Sequence, residues 1–419
     1  MNDTQVRLAH FPFFEALAKT PDESSSDWRT AKAGLLVLRM LDDWAEQGPE
    51  VITENVWGVH VVRRTVTLID AGNPLRGLIL NVLDTMREGP DRSPSDVIPQ
   101  LMAYARGLEF DAKWALAADV YQTIIKRAHP VFDAAAIVGA YMCLGACYRV
   151  LTNWKDATAT YKAAGHLAQL VGDMESVIRS DIAMAKLSID RGNHPRAEKI
   201  LDKAIARAEQ AGLTEIHAVA LHDRAAVAYH RRQFELAIHL NYAALNGTAD
   251  QAERDRVLAD IASSFFELGL KDVARDAHVI LAATAQRQQT RWVSTVNLLE
   301  IATTDRNEAV FEQYRRELAN APLPPSLAVY YHYYVGQGYR AFGKLDVATH
   351  ELEQAVSIAS EHNLNEVLIQ AEQSLAEIRR GTALAFVGGL QPSATVETSP
   401  AVADVASAIR EMRSLVGTA

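Results

Sequence analysis

Cys143 and Cys147 are the only cysteines of the chain and stand four residues apart in YMCLGACY. On a helix that spacing puts both thiols on one side, where they could supply half of a metal site. No second Cys or His pair with ligand spacing accompanies them, and small buried residues suit the same positions. The pair therefore reads as packing, and no metal or other cofactor is expected. His222 and His230 have neither a nucleophile nor a metal partner to make a mechanism of them. No GxxxxGK[ST] loop, GxSxG elbow, HExxH pair or pair of CxxC motifs occurs, so the usual phosphate cradles, nucleophile elbows and zinc sites are not encoded. The chain reads as non-catalytic. Its densest group of chemistry-bearing side chains is YYHYYVGQGYR, Tyr330 to Arg340, where four tyrosines surround His332. Those rings could hold a ligand or merely pack.

What positions such residues follows from composition. A chain of 419 residues, 49% of them hydrophobic, buries a large core but exceeds the usual length of one compact domain. It must hold two or three domains, or a repeat array. A net charge of -10 argues against a surface devoted to nucleic acid or anionic lipid. The start, MNDTQVRLAHFPFF, has no basic segment followed by an apolar core, and no later run approaches the ~18 apolar residues of a spanning helix. Neither signal peptide nor membrane span is expected. With two cysteines, disulfides are not the framework, and a cytoplasmic location is expected.

Repetition decides between domains and an array. AKWALAADVY and TNWKDATATY superpose at a spacing of forty residues, and Ala117, Ala157, Ala197 and Ala237 continue it. Ala274 and Ala348 follow, with a weaker copy in NEAVFEQY near Ala309. Gly145 and Gly336 lie twelve residues before Ala157 and Ala348, each followed three residues later by a tyrosine. Ala164, Ala204, Ala244 and Ala355 lie seven residues after the alanines, and Gly172, Gly212 and Asn363 fifteen after. Gly and Asn tolerate the left-handed conformation that ends a helix. Each unit is therefore two amphipathic helices joined by a tight polar turn such as LTNWKD or AFGKLD.

The pattern L-G-x-x-Y, a turn glycine, then Ala and a second Ala resembles the tetratricopeptide repeat. Its forty-residue period exceeds the usual 34, as in the repeat domains of maltose-operon activators and of peptide-sensing bacterial regulators of the Rap type. The resemblance implies an all-α fold, a right-handed superhelical solenoid of about seven helix-turn-helix repeats over residues 99–380. An N-terminal helical domain or cap would occupy residues 1–98, a flexible linker 381–400 and a C-terminal amphipathic helix 401–419.

The same resemblance assigns faces. Tyr331, Tyr334 and Tyr339 become core, while Tyr330 and Tyr333 fall at positions that line the concave side in this family. Applied to every repeat, the count adds Met102, Arg106 and Glu109, Met142 and Arg149, and Arg179, Ile182, Lys186 and Ile189. It continues with His222 and Tyr229, Arg256 and Phe266, and Gln337 and Arg340. Five arginines and a lysine against one glutamate imply a locally basic groove. Such a groove would take an acidic peptide or a C-terminal carboxylate, with Arg giving paired hydrogen bonds and the aromatics apolar area. The expected partner-binding residues are Arg106, Met142, Arg149, Arg179, Lys186, His222, Tyr229, Arg256, Tyr330, Tyr333 and Arg340. The bland alternative is that long cations simply solvate that face.

Residues 1–98 show no such repeat. A helix is expected from a cap at Ser26 or Asp27, carrying Ala31, Leu35, Leu38, Leu41 and Trp44 on one side. VWGVHVVRRTVTLIDAG and PLRGLILNVLDTMREG read as two more, with a strand as the alternative for the β-branched VHVVRRTVTLI. Nine Lys or Arg against thirteen Asp or Glu in residues 1–90 give poor support to a DNA-reading helix. At the other end, Val402, Val405, Ile409, Met412 and Val416 form an apolar stripe. It needs its own solenoid, a second copy of the chain in a homodimer, or another protein to lie on. The expected function is a non-catalytic scaffold or adaptor binding a partner's acidic segment. The alternatives are a peptide- or effector-sensing regulator with a repeat sensor domain, and a subunit that acts only in complex with an enzyme.

Overall fold

Seventeen residues of helix and three of turn make a half-unit of twenty, which is how two amphipathic helices fill the forty-residue period. In the computed structural model, which describes residues 8–48, 56–87, 93–362, 364–381 and 398–416, this is the recurring element. Among the described residues the chain is helical, and none of its helices is long and apolar enough to cross a membrane. Asn363 and most of the expected linker lie outside the described residues.

Two compact units comprise residues 1–211 and 212–419. The first begins with α1 (Phe11–Lys19), α2 (Ser26–Gln47), α3 (Val56–Thr67) and α4 (Pro74–Arg87). It continues with α5 (Ile98–Phe110), α6 (Trp114–Arg127), α7 (Ala134–Val150), α8 (Trp154–Leu170), α9 (Met174–Asp190) and α10 (His194–Gln210). The second holds α11 (Thr214–His230), α12 (Phe234–Gly247), α13 (Gln251–Glu267), α14 (Lys271–Thr284) and α15 (Gln288–Thr304). It ends with α16 (Glu308–Leu318), α17 (Pro325–Ala341), α18 (Leu345–Glu361), α19 (Asn365–Arg379) and α20 (Pro400–Val416). The β-branched segment open to a strand reading is the helix α3.

The turns explain the period. Thr152, Gly172, Gly192, Gly212 and Arg232, one every twenty residues, all have positive φ, between 56° and 76°. The next residue's N–H then reaches back to end the helix, as Asn153 does to the Tyr148 carbonyl at 2.8 Å and Asn193 to that of Ser188 at 2.8 Å. Asn153, Asp173 and Asn193 cap the following helix by accepting from a backbone N–H with their side chains. One short turn thus stops one helix and starts another.

Close approach within a unit rests on the glycine and alanine signals. A Cβ on Gly145 would stand 2.5 Å from the Tyr161 ring, and one on Gly336 would stand 2.7 Å from Leu352. Ala117, Ala157, Ala197, Ala237, Ala274 and Ala348, each the fourth residue of its helix, are fully buried. The weak copy differs from expectation, because Ala309 is exposed. The fourth residue of α16 is Phe311, fully buried with its ring against Gly338. An aromatic had taken the alanine's place, and a glycine in the next helix makes room for it.

At the N-terminus, α2 is capped by Ser25, one residue before the expected start. Helices α1 to α4 do not form a separate core: Phe13, Leu38, Leu83, Leu101, Tyr104 and Tyr121 belong to one apolar cluster that reaches Cys147. Gly34 lets Tyr104 of α5 lie directly against α2. At the C-terminus, α20 packs on α12 and α14 of its own chain, burying Val402, Val405, Ala406 and Ile409. Of the expected stripe, Val402, Val405 and Ile409 are covered by the chain itself, while Met412 and Val416 are half-buried.

Candidate ligand site

Four residues after each buried alanine comes the side chain that fills the space under the unit's first helix. It is Tyr121 in α6, Tyr161 in α8, Leu201 in α10 and Leu352 in α18, all buried. In α12 it is Asn241, and the residue facing it, twelve before Ala237, is Ala225. A small residue opposite a short amide leaves a cavity of about 270 Å³, lined by Ala225, Ala226 and Tyr229 of α11, by Asn241, and by Asp260, Ser263 and Ser264 of α13, with His230 at its edge. Asn241 is 2% exposed and its Oδ1 has no hydrogen-bond partner, an arrangement that costs stability unless something else satisfies it. Tyr229 is half-buried, its ring edge-on to Phe234 at 5.4 Å between centroids.

Beside the cavity, His222 joins α11 to α13. Its Nε2–H donates to Asp260 Oδ2 at 2.6 Å and its Nδ1–H to Glu253 Oε1 at 3.0 Å. Burial would lower this imidazole, but the hydrogen bonds to Asp260 and Glu253 outweigh it and raise the pKa to about 9. Glu253, bonded to His222 and also to Arg256, falls to about 2. The His222 imidazolium and the Glu253 carboxylate thus hold each other ionised. Burial, and then the carboxylates of Glu267, Asp260 and Glu300, raise the Tyr229 hydroxyl. The face formed by first helices in this unit is therefore rich in carboxylates.

The expected partner-binding residues divide by burial. In the first unit Arg106 and Arg179 are exposed and Met142, Arg149 and Lys186 half-buried. Arg149 pairs with Asp190 at 2.5 Å and Arg179 with Glu175 at 2.8 Å, and Met142 packs against the Tyr161 and Leu187 cluster. In the second unit Arg256 is exposed and pairs with Glu253. Tyr330 lies parallel to Tyr334 at 6.4 Å, and Tyr333 is half-buried. His222 and Arg340 are buried rather than lining, Arg340 bonded to Glu377 at 2.6 Å. Ile182 and Gln337, counted inward by the same register, are also buried. A bulky side chain at those positions leans between adjacent helices rather than into solvent. Tyr331 and Tyr339 are core as expected, and Tyr334 is half-buried.

Two features escaped the sequence. Asn241 sat in the repeat pattern at a position whose sister residues are large, a signal readable once the units are aligned. His10 carried no signal, because its partners are distant in sequence: Nδ1 lies 2.6 Å from Asp119 and Nε2 3.2 Å from Asp42, which also binds Arg127. Burial opposes the charge on His10, but Asp119 and Asp42 raise it to about 9. This network ties the start of α1 to α2 and α6. Cys147 is buried and its thiol is pushed up by burial and then Glu109.

No protein-family model matches the sequence, and no curated protein matches it. Among solved structures, the chain is similar to a signal transduction ATPase with numerous domains carrying a tetratricopeptide repeat sensor, from Pyrococcus horikoshii. The TM-score is 0.52 at 14% identity, over 84% of this chain and 55% of that one. The fold is a tetratricopeptide-like solenoid. Lower scores relate it to a Rap protein complexed with Competence and Sporulation Factor, TM-score 0.46, 12% identity, 84% of this chain and 99% of that one. BtubC from P. vanneervenii scores 0.41 at 15% identity, over 61% of this chain and 95% of that one. At such identities the likeness is one of fold.

Proposed function

We propose that this tetratricopeptide-like protein is a non-catalytic regulator that senses a peptide or small effector in its second unit, on the face formed by the first helices. The observation that carries the reading is the Asn241 cavity. A scaffold built only to stack would fill that position as Tyr161 and Leu352 fill theirs; here an amide is buried, unpaired and beside an opening. The helix that carries Asn241 also carries the docked α20, so occupancy on one side of α12 can bias a tethered element on the other. The Pyrococcus horikoshii protein whose fold this chain shares uses its repeats as a sensor by its description, and a cytoplasmic setting suits that role.

A second reading keeps the adaptor. The exposed Arg106 and Arg179 of the first unit suit an acidic partner segment, although an acid binding at Arg179 or Arg149 must displace Glu175 or Asp190. The two readings separate in a selection of short peptides against wild type, Asn241→Leu and Arg106→Glu/Arg179→Glu. Peptides kept by wild type and lost by Asn241→Leu support the sensor. Peptides lost only by the double charge reversal move the function to the first unit and overturn it.

A further inference from the structure

The cavity's polar groups are unequal in kind. Ser263 Oγ donates its hydrogen to the Ala259 carbonyl at 3.1 Å, and Ser264 Oγ donates to the Asp260 carbonyl at 2.9 Å. With both hydroxyl hydrogens spent on their own helix, the two oxygens can only accept. Asn241 Oδ1 is an unpaired acceptor, and Asp260 is a carboxylate that meets His222 through Oδ2. Against these acceptors stand the Asn241 amide hydrogens, the Tyr229 hydroxyl and, at the edge, the His230 ring as donors. Glu267 and Glu300 join Asp260 about Tyr229 and outweigh Arg232 there.

We infer that the Asn241 cavity binds an ammonium or guanidinium group, the head of a basic side chain or amine, held by Asn241 Oδ1, the Ser263 and Ser264 hydroxyl oxygens and the Asp260 carboxylate. An ammonium brings three donors and a guanidinium five, with no acceptor to clash with the lone pairs it meets. Its methylene stem would lie along Ala225 and Tyr229, the apolar part of the lining. A carboxylate would face like charge and a neutral aliphatic head would leave Asn241 unpaired, so the site discriminates by penalty as well as by attraction. The inference rests on the sensing role proposed above and names the chemistry that this site would recognise.

The test uses the full chain with 13C-methyl alanine, because Ala225 and Ala226 report from the cavity wall. The probes are N-acetyl-arginine amide, N-acetyl-lysine amide, N-acetyl-norleucine amide and N-acetyl-glutamate amide. Saturable shifts at both methyls are expected with the two cationic probes, at roughly tenfold or greater preference over norleucine, the ratio that charge-assisted hydrogen bonds give. Asn241→Leu, which restores the Leu of the sister units, should fold, melt higher and lose the response. Asn241→Ala should fold and bind roughly tenfold more weakly. Shifts with the glutamate or norleucine probe and none with the cations would overturn the cationic assignment while leaving a sensing cavity. Silence at both methyls with every probe would overturn the cavity as a ligand site, and with it the sensing reading.

Discussion

His222 Nε2 lies 2.6 Å from Asp260 Oδ2, and the same ring reaches Glu253 with its other nitrogen. The folded protein therefore holds this proton more tightly than the unfolded chain, raising the pKa from 6.5 to about 9. The stabilisation is complete below 6.5 and is lost as the pH rises toward 9. His10 acts in the same direction. His278, buried and lowered to about 4 by that burial, acts oppositely, withdrawing stability as the pH falls below 6.5. Urea unfolding as a function of pH should show a maximum at about 6 and a decline on the alkaline side. His222→Gln should reduce that alkaline decline without abolishing it, because His10 remains. An unchanged alkaline slope in the variant would mean that His222 is not charged in the folded state.

Gly145→Ala should destabilise by about 1–3 kcal/mol, the usual range for forcing extra volume into a filled core. The new methyl would stand 2.5 Å from the Tyr161 ring. Because the strain belongs to the pair, Gly145→Ala combined with Tyr161→Leu should cost less than the sum of the two single changes. Denaturant midpoints of the four proteins decide it, and strict additivity would show that the glycine is not there for the ring.

Thr152 and Arg232 hold the left-handed turn position with φ of 56° and 60°. That conformation costs a residue bearing Cβ about 1–2 kcal/mol. Thr152→Gly and Arg232→Gly should each gain up to about 1 kcal/mol, part of the relief being offset by the greater freedom of glycine when unfolded. Gly172→Ala, at φ 76°, should lose about as much. Thermal melts that rank these three changes in any other order would contradict the turn geometry.

Ile409 is fully buried where α20 lies on its own chain. Ile409→Asp removes an apolar anchor of about 1.5–3 kcal/mol and adds a charge that the interface cannot solvate. The expected result is release of α20 with the repeats still folded, seen as new amide exchange in residues 400–416 and in α12 and α14, together with new dye binding. Protection of α20 equal to wild type would show that docking does not depend on this residue.

The repeat was legible in the sequence because it is local. A twenty-residue half-unit, a turn residue able to take positive φ and a small residue where helices touch all follow from backbone geometry. Gly145, Ala157 and Gly172 carry those signals wherever the chain goes. The unit at Ala309 misled because Phe311 replaced the alanine that marks the register, and its compensation by Gly338 lies in the next repeat. Which side chains reach solvent was not local. His222 and Arg340 occupy positions that the resemblance turned inward, yet each is buried because a carboxylate from a later helix, Asp260 or Glu377, meets it. The sequence by itself determined helices, turns and the order of stacking, since these depend on neighbours within about forty residues. Only the tertiary structure decided that α20 folds back on its own chain, that Arg149, Arg179, Arg256 and Arg340 are paired, and that Asn241 faces a cavity. Each of those depends on what a distant segment supplies at the far side of a contact.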